Sequence, residues 1–409
     1  MVDEALYEYM RLQLELTTSS FHRYLYERVN WTSRMIAITG ARGVGKSTMI
    51  LQYLKEQASD CKFLYISADH TYFSTHSLVE VADEFSKDAG HLLVIDEVHK
   101  YSDWSRELKQ IYDTHPDMRV IFSGSSILDI MDGVADLSRR VLPYTLYGLS
   151  FREYLELFHN INASKYSLDE ILAGKSRIDG VLHPLPLFRR YLAEGYYPFA
   201  LEGDFPMRMQ NVITKTIESD IAQYAELKAP TAKKLKKMLA VISTLAPYKP
   251  NADSLASEIG VSRNSVSDYR ALLEKAQLIG QLRDDTGGMR GLGKVEKVYI
   301  DNPSLMTVLS GGKADIGNMR ETFFYNQMRV ENDVVSSRQS DFVIGDRTFE
   351  IGGRNKGKRQ IEDLPDSYIV KDDIEFAHGN TLPLWSFGLN YVNFDSFCTI
   401  NAPAPKFSA

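Results

Sequence analysis

A glycine-rich segment that ends in lysine and serine is the part of this sequence best suited to chemistry. Residues 40–47 read GARGVGKS, which fits the phosphate-loop pattern G-x-x-x-x-G-K-[ST]. Glycines allow successive backbone N–H groups to close around an anion, Lys46 can reach the outer phosphates of a nucleotide, and the Ser47 hydroxyl can bind Mg²⁺. We therefore predict a nucleoside triphosphate site. Its residues are Gly40, Ala41, Arg42, Gly43, Val44, Gly45, Lys46, Ser47 and Thr48.

The segments on either side of this loop have the patterns of a strand and a helix. Residues 35–39 read MIAIT, an apolar run with the length of a buried strand. Residues 48–56 place Ile50, Leu51 and Leu54 on one side of a helix, whose start adds its positive dipole end to an anion site. A glycine-rich loop could occur by chance, but this context favours phosphate binding.

Two acids follow another apolar run further along the chain. Residues 92–95 read LLVI, and Asp96 and Glu97 come directly after them, which is the Walker B form. Asp96 would hold the metal ion through water, and Glu97 would polarise the attacking water. The alternative is a pair of solvated acids at a strand end. The catalytic interpretation is favoured because a strand at 63–67 and a helix at 78–87 separate this run from the phosphate loop.

Hydroxyl and guanidinium groups at later positions could complete a hydrolytic site. Residues 119–122 form an apolar run that leads into Ser123 and Ser125, and a hydroxyl there can bond the γ-phosphate or the water. Either serine fits, and we assign the role to Ser125; a turn cluster is the alternative. Arg140 precedes a strand at 144–147 and could meet a γ-phosphate in its own or a neighbouring subunit, unless it is an ordinary surface residue. The predicted catalytic residues are Glu97, Lys46, Ser125 and Arg140, and the predicted metal ligands are Ser47 and Asp96.

The alternation of strands and helices predicts the architecture that positions these residues. Residues 1–150 are expected to form an α/β core with a mostly parallel sheet covered on both faces, and residues 3–30, which are helical in pattern, are expected to be its leading helix. The nucleotide then belongs at the carboxyl ends of the strands. Residues 151–230 turn helical, with aromatic and leucine-rich runs, and predict a helical lid over the nucleotide.

Residues 231–300 have the pattern of a winged helix. A short helix, a turn with Gly260, a Ser262 cap and a second helix indicate a helix-turn-helix, and two strand-like runs around a glycine-rich loop follow. This segment carries 12 Lys and Arg against 7 Asp and Glu, whereas the whole chain has a net charge of −7. Such a basic region permits contact with DNA, although a lid or a docking surface is the alternative. The residues that would face the bases are Arg263, Asn264, Ser265 and Ser267.

Residues 301–409 contain acids that a hairpin would bring together. Glycine and aspartate at 345–346, between two alternating runs, predict a tight turn, and its register sets Asp341 opposite Glu350. Facing carboxylates repel, and a divalent cation would offset that repulsion. With Glu321 on the preceding helix as a third carboxylate, we predict a second metal site. The alternative is a set of exposed acids on a solvated sheet face.

Composition excludes several classes of protein. The chain has 409 residues, 44% of them hydrophobic and 25% charged, which is ordinary for globular domains. No apolar run approaches the roughly 20 residues of a membrane span. The acidic N-terminus lacks the form of a secretion signal. Cys61 and Cys398 are the only cysteines, which excludes a disulfide framework and a four-cysteine zinc site and favours a cytoplasmic location.

Nearly the whole chain resembles the prokaryotic AAA-type P-loop ATPases whose C-terminal domain has a restriction-endonuclease-like fold. The motifs that carry this resemblance lie at residues 40–47, 92–97 with His99, 123–126, 136–140, 149–154 and 299–303, and at Asp341 and Glu350. The resemblance implies an ATPase core, which we place at 1–150, a winged helix at 231–300 and a nuclease-like α/β domain at 301–409; the helical lid at 151–230 rests on the residue pattern alone. It also implies ATP as the nucleotide, with Mg²⁺.

The resemblance further implies an active motif of one acid followed by acid-x-Lys on the next strand. Asp341 and Glu350 match the acids, but Gly352 stands where the lysine is expected. Lys356 or Lys358 could substitute for it, and we favour a degenerate site that binds rather than cuts.

Three functions therefore remain open for this chain. The first is Mg²⁺-dependent ATP hydrolysis coupled to conformational change, with DNA as a candidate partner through the winged helix. The second is a nucleotide-dependent switch that scaffolds protein partners, or associates with itself, with little turnover. The third is an active metal-dependent nuclease. Membrane association is not expected from the composition.

Overall fold

The computed structural model describes residues 2–57, 61–125, 137, 139–249, 251–285, 293–353, 356–357, 361 and 364–391. Its helices are α1 (Glu4–Leu16), α2 (Lys46–Gln57), α3 (Leu78–Lys87), α4 (Trp104–Thr114), α5 (Phe151–His159), α6 (Leu168–Leu172), α7 (Leu185–Glu194), α8 (Phe205–Lys215), α9 (Ala222–Tyr224), α10 (Ala229–Leu245), α11 (Ala252–Ile259), α12 (Arg263–Lys275), α13 (Pro303–Leu309) and α14 (Ile316–Met328). Its strands are β1 (Met35–Gly40), β2 (Phe63–Ser67), β3 (Leu92–Asp96), β4 (Arg119–Ser125), β5 (Leu142–Thr145), β6 (Ile279–Arg283), β7 (Val295–Ile300), β8 (Val334–Ser336), β9 (Phe342–Ile344), β10 (Arg347–Gly352), β11 (Ser367–Lys371) and β12 (Thr381–Pro383). Short 3₁₀ turns lie at Thr71–Ser74, Val98–Lys100, Pro198–Glu202 and Leu384–Leu389, and a π-helical turn at Thr216–Ile221 joins α8 to α9.

The N-terminal sheet is a five-stranded parallel sheet with the order β2-β3-β4-β1-β5. Its inner strands are apolar along almost their whole length, because helices cover both faces and no side of the strand meets water. Because they run parallel, β1, β3 and β4 end at the same edge of the sheet. The parallel sheet predicted from the sequence is therefore confirmed, and its carboxyl edge brings the phosphate loop beside the two acids.

Two predicted elements of this part differ from the structure. The helix expected within 3–30 ends at Leu16, because the hydroxyl-rich run TTSS follows and Thr17 already adopts an extended backbone with φ −82° and ψ 125°. Residues 21–30 form turns instead. The strand expected at 144–147 lies at Leu142–Thr145, where it pairs with β1.

The C-terminal part contains a second, mixed sheet with the order β12-β11-β10-β9-β8. The predicted tight turn forms: Ile344 pairs with Arg347 across Gly345, whose φ of +57° suits the first central position of a type II′ turn. The core of this sheet is strongly aromatic. It includes Phe323 and Phe324 of α14, Phe342, Phe349 and Phe387, together with Phe151, Tyr154, Phe188 and Tyr191 of α5 and α7.

The two halves of the segment predicted as a lid, residues 151–230, pack against different parts of the protein. Its first half, α5 to α7, belongs to the core of the C-terminal sheet. Its second half reaches the phosphate loop, where Phe199 lies against Gly43 and Asp220 bonds Arg42. The lid at 151–230 stays a prediction, as do the other domain boundaries.

The middle unit contains α10, α11 and α12, followed by the antiparallel hairpin of β6 and β7. Arg263, Asn264 and Ser267 are exposed at the start of α12, and Ser262 caps that helix by accepting from the Ser265 N–H. Residues 286–292 of the predicted glycine-rich loop lie outside the described residues. The winged-helix interpretation stays a prediction. None of the helices in the described part of the chain has the length and apolar character to cross a membrane.

Candidate nucleotide site

The phosphate loop adopts a conformation that only glycine accommodates at two points. Gly43 has a φ of +84°, and a Cβ atom on it would lie 2.7 Å from the ring of Phe199. A Cβ on Gly40 would lie 2.2 Å from the carbonyl oxygen of Leu146, which no real side chain tolerates. The loop backbone is thus packed tightly from outside, which fixes its curvature before any ligand arrives.

Lys46, the first residue of α2, is directed into this loop. Its side chain is buried, and Nζ donates hydrogen bonds to the carbonyl oxygens of Gly40 and Ala41, each at 3.0 Å. Burial lowers the pKa of Lys46, although the nearby carboxylates of Glu97 and Asp96 oppose that shift. The ammonium is therefore held where an anion enclosed by the loop would meet it.

The two acids after β3 are held differently from each other. Asp96 is buried and accepts hydrogen bonds from the Tyr65 hydroxyl, at 2.6 Å, and from the Ser123 hydroxyl. The same Ser123 oxygen accepts from the backbone N–H of Glu97 at 3.3 Å. Glu97 has a left-handed backbone with φ +51°, which is strained for a residue with a side chain and is typical of functional positions. Its side chain is a quarter exposed.

The remaining predicted catalytic residues lie less directly at the site. Ser123, not Ser125, supplies the hydroxyl that contacts the acids. Ser125 is buried at the end of β4, and its backbone N–H donates to His99 Nδ1 at 3.3 Å. Arg140 is bound to Asp113 at 3.1 Å and lies just before β5. It is therefore at the amino ends of the strands, whereas the phosphate loop is at their carboxyl ends. Within one chain, Arg140 is therefore not brought to the loop. Ser126, Asp136 and Ser138 of the family motifs lie outside the described residues.

Asp220 is a site residue that sequence reasoning missed. It lies in the π-helical turn between α8 and α9, with a buried carboxylate, and accepts hydrogen bonds from Arg42 and Lys100, each at 2.9 Å. Burial alone would raise the pKa of Asp220, but the nearby His99, together with the hydrogen bonds from Arg42 and Lys100, outweighs burial and holds that pKa well below its usual range. A π-helical turn is often found at a functional position, but no sequence pattern predicts where one forms.

A buried ion pair supports the phosphate loop from the other side and was also missed. Arg23 Nε donates to Glu153 at 2.9 Å, and the same guanidinium donates to the carbonyl oxygens of Val44 and Tyr147. Burial would raise the pKa of Glu153, but Arg23 and Arg152 keep it below its ordinary value. The pair therefore stays charged, and it links the segment before β1 and the start of α5 to the loop.

The residues at this edge fit a magnesium ion. Ser47, at the start of α2, is half-buried, and Asp96 keeps a fixed, buried carboxylate because two hydroxyls donate to it. Mg²⁺ prefers such hard oxygen ligands and retains several of its waters. Ser47 and Asp96 would hold the ion, directly or through water.

The predicted second metal site is not formed. Glu321 and Asp341 do approach one another, but the Lys297 ammonium of β7 bridges them at 3.0 and 3.1 Å. No group of three or more potential metal ligands is found within the described ranges. The prediction failed because a lysine from a distant strand supplies the positive charge that we assigned to a cation.

Glu350 has a separate partner. Lys356 pairs with it, and the lysine side chain passes so close to Gly352 that a Cβ there would lie 2.5 Å from its Cγ. The ladder of β9 and β10 follows the predicted register as far as Phe342 and Phe349 and ends there, one residue before Asp341 and Glu350. The Asp341 carboxylate accepts from the Ile351 N–H at 2.9 Å. Lys358, the other candidate lysine, lies outside the described residues.

The environment of Glu350 makes stability depend on pH. Burial raises the pKa of Glu350, with Lys356 opposing that shift. A carboxyl with a raised pKa contributes stability below its ordinary pKa and loses it as the pH rises through the raised value. We therefore expect the free energy of unfolding of Glu350→Gln, relative to wild type, to increase between pH 4 and pH 8, as followed by urea unfolding. Glu15→Gln, at an exposed position of α1, is the control. A difference that is constant or shrinks with pH would contradict this expectation.

Comparison with known families agrees with this geometry. Residues 32–155 match the family model described as an AAA domain, and residues 185–315 match that of a domain of unknown function, DUF8612. The parallel sheet and the loop after β1 lie within the first match, which supports a P-loop fold of the AAA type for these residues. The restriction-endonuclease-like nature of the C-terminal sheet stays a prediction.

Among individual proteins, the chain is similar to the uncharacterized protein MJ1637 of Methanocaldococcus jannaschii. The two are 26% identical over 270 residues, which cover 61% of this chain and 57% of the relative. The chain thus spans little more than half the length of that relative.

Solved structures give weaker likenesses. DnaA of Aquifex aeolicus, bound to AMPPCP, is 17% identical, and the match covers 67% of this chain and 89% of DnaA with a TM-score of 0.24. PCH-2 of C. elegans is 16% identical, with 67% and 66% covered and a TM-score of 0.26. Katanin is 14% identical, with 67% and 84% covered and a TM-score of 0.27. At such TM-scores these likenesses carry no inference about activity.

Proposed function

We propose that this chain is an ATPase that binds ATP with Mg²⁺ in the phosphate loop and hydrolyses it. The observation that carries the proposal is the meeting of three charged groups at one edge of the parallel sheet. Lys46 points into the loop; burial lowers its pKa, and the nearby carboxylates of Glu97 and Asp96 oppose that shift. A buried ammonium beside a fixed carboxylate and a partly exposed one is the arrangement that phosphoryl transfer to water needs.

Each residue then has a defined task. Loop N–H groups and Lys46 bind the phosphates and stabilise charge on the transferring group. Glu97 accepts the proton of a water whose oxygen bonds to the γ-phosphorus, while the bond from that phosphorus to the bridging oxygen breaks and ADP leaves with its electrons. Mg²⁺, when bound by Ser47 and Asp96, neutralises phosphate charge. The Ser123 hydroxyl keeps Asp96 oriented and anchors the Glu97 backbone.

We further propose that the nucleotide state changes the relative positions of the parts around the loop. Gln277, just after α12, accepts a hydrogen bond from the Ala41 N–H at 3.1 Å, and Asp220 bonds Arg42 of the same loop. Gln277 itself has a φ of +55°, a strained backbone that the surrounding contacts must hold. Any movement of the loop on binding or hydrolysis would therefore reach the unit that contains α12.

The same contacts also suit a nucleotide-dependent switch with little turnover, which is the second candidate. The switch is supported by the bond between Gln277 and the loop, which would change with nucleotide binding whether or not ATP is cleaved. DNA at the exposed start of α12 and protein partners, including a second copy of the chain, remain proposed partners of either. A nuclease is disfavoured, because Lys297 neutralises Glu321 and Asp341.

Glu97→Gln tests the choice between these functions. The amide cannot accept the proton, so we expect the steady-state rate of phosphate release to fall about 10²-fold or more, in line with the loss of a general base. The dissociation constant for a fluorescent ATP analogue should change little. Glu8→Gln, on the exposed face of α1, should behave as wild type. A wild-type protein that binds ATP but releases no phosphate over many hours would favour the switch.

A further inference from the structure

His99 lies beside the two catalytic carboxylates in the 3₁₀ turn after β3. Its side chain is 6% exposed. The Ser125 N–H donates to Nδ1 at 3.3 Å, so Nδ1 is the acceptor of the ring and the proton of a neutral imidazole lies on Nε2. The orientation of the ring is thereby fixed, with the Nε2–H group on the side away from β4.

The Nε2–H group faces two carboxylates. Nε2 lies 3.4 Å from Glu97 Oε2 and 3.6 Å from Asp220 Oδ1, and among the described residues it makes no full hydrogen bond. Both distances are slightly long, so a small movement of either acid would complete one bond at the expense of the other. A buried N–H without a partner is costly, and the ring is therefore set to satisfy one carboxylate at a time.

Asp220 is the fixed member of this pair. Arg42 and Lys100 hold its carboxylate, and Gln223, on the same helical segment, donates to the carbonyl oxygen of His99 at 2.9 Å. Together α8, the π-helical turn and α9 form one helical segment at 205–224, called helix α8–α9 below. This segment therefore contacts both the backbone of His99 and the phosphate-loop residue Arg42. Glu97, by contrast, is partly exposed and turns on a strained backbone.

Glu97 has competing cations close by. Burial would lower the pKa of Arg42, but Asp220 outweighs it and raises that pKa, with a smaller contribution from Glu97. Burial lowers the pKa of Lys46, and the Glu97 carboxylate opposes that shift. An unrestrained Glu97 would be drawn to one of these cations and would then be turned away from a water near the γ-phosphate. The N–H group of His99 is an alternative partner for Glu97 Oε2, and it leaves the other carboxylate oxygen available to accept a proton from water.

We propose that His99 is a positioning residue for Glu97, and that Asp220, tied to Arg42, competes for the His99 N–H and so couples helix α8–α9 to the base. The inference rests on the proposed ATPase function. When Arg42 moves towards a phosphate, its ion pair with Asp220 weakens or lengthens. The balance of the His99 N–H between Asp220 and Glu97 then changes. Glu97 performs the chemistry, and His99 acts only through Glu97.

Two substitutions of His99 separate this role from a merely structural one. In His99→Asn, the amide oxygen can replace Nδ1 as acceptor for the Ser125 N–H, but the side chain is too short to reach Glu97. In His99→Gln, the terminal amide reaches the position of Nε2 and can donate there. We expect kcat of the Asn variant to fall about 10- to 100-fold, the cost of a misplaced group. KM for ATP should stay within about twofold, and the Gln variant should recover most of kcat.

A double-mutant cycle with Glu97→Gln tests whether His99 acts through Glu97. Adding His99→Asn to Glu97→Gln should cause no further loss of kcat, because the base it positions is already gone. The control is His115→Ala. His115 lies away from the loop, and its Nε2 is 2.8 Å from Asp83 Oδ1. Three results would overturn the inference. The first is a wild-type kcat in His99→Asn, and the second is an equal loss of kcat in the Asn and Gln variants. The third is a loss of kcat in the double mutant equal to the product of the two single losses. Absence of turnover in the wild type would instead overturn the proposed function.

Discussion

Replacement of Lys46 by alanine should remove most of the ATPase activity of this protein. The ammonium is buried inside the phosphate loop, where it donates two hydrogen bonds to loop carbonyl oxygens. When ATP binds, it can donate to phosphate oxygens instead, without being buried further. Loss of one preorganised donor at a developing charge costs about 10²- to 10³-fold in rate, and here the donor also carries a full charge. We therefore expect kcat/KM for ATP to fall by at least about 10³-fold.

A control on the same helix makes this result specific. Lys55, on α2, donates to the carbonyl oxygen of Thr17 at 2.8 Å and lies away from the loop. Lys55→Ala should keep wild-type kcat/KM within about twofold, since surface substitutions have small effects. Equal losses in the two variants, or unchanged hydrolysis in Lys46→Ala, would remove Lys46 from the mechanism.

Glu153→Ala should be the most destabilising of the substitutions considered. The carboxylate is fully buried and accepts from Arg23 Nε at 2.9 Å, from the Tyr24 N–H at 2.7 Å and from the Ser150 N–H at 2.9 Å. Its removal leaves the Arg23 guanidinium, 5% exposed, without a counter-charge. Breaking one partner of a buried ion pair typically costs about 3–5 kcal/mol, and we expect a loss of that size in the free energy of unfolding.

The same substitution should weaken ATP binding, because Arg23 also holds the Val44 carbonyl of the loop. Glu156→Ala is the matched control on α5, since Glu156 is partly exposed and pairs with Arg152 only at 3.7 Å. That pair should contribute less than about 1 kcal/mol. Urea unfolding followed by tryptophan fluorescence measures both variants. A loss of similar size in the two would show that burial of the pair is not what stabilises this region.

The features predicted correctly from the sequence are those that short-range patterns encode. The phosphate loop, the strand before it and the acids after residue 95 are each contained in a few consecutive residues, and the structure brings them to one sheet edge as the parallel order requires. The tight turn at 345–346 was predicted for the same reason, because glycine and aspartate between alternating runs encode it locally.

The features that were missed depend on contacts between distant parts of the chain. Asp220 meets Arg42 across 178 residues, and Arg23 meets Glu153 across 130. Lone charged residues carry no periodicity that would mark them as partners. Lys297 shows the consequence most clearly: the facing acids suggested a cation, but the positive charge comes from a lysine on β7. The helical pattern of residues 3–30 continues past the hydroxyl-rich run at 17–20, but that run ends the helix at Leu16.

The number of phosphates released per chain tests the central claim most directly. Purified wild-type protein is incubated with ATP and magnesium, and inorganic phosphate is counted against the concentration of chains. An ATPase whose Lys46, Asp96 and Glu97 act as proposed should release many phosphates per chain, and Glu97→Gln should release almost none in the same time. Release that never exceeds the background of the Lys46→Ala variant, from folded protein, would contradict the account.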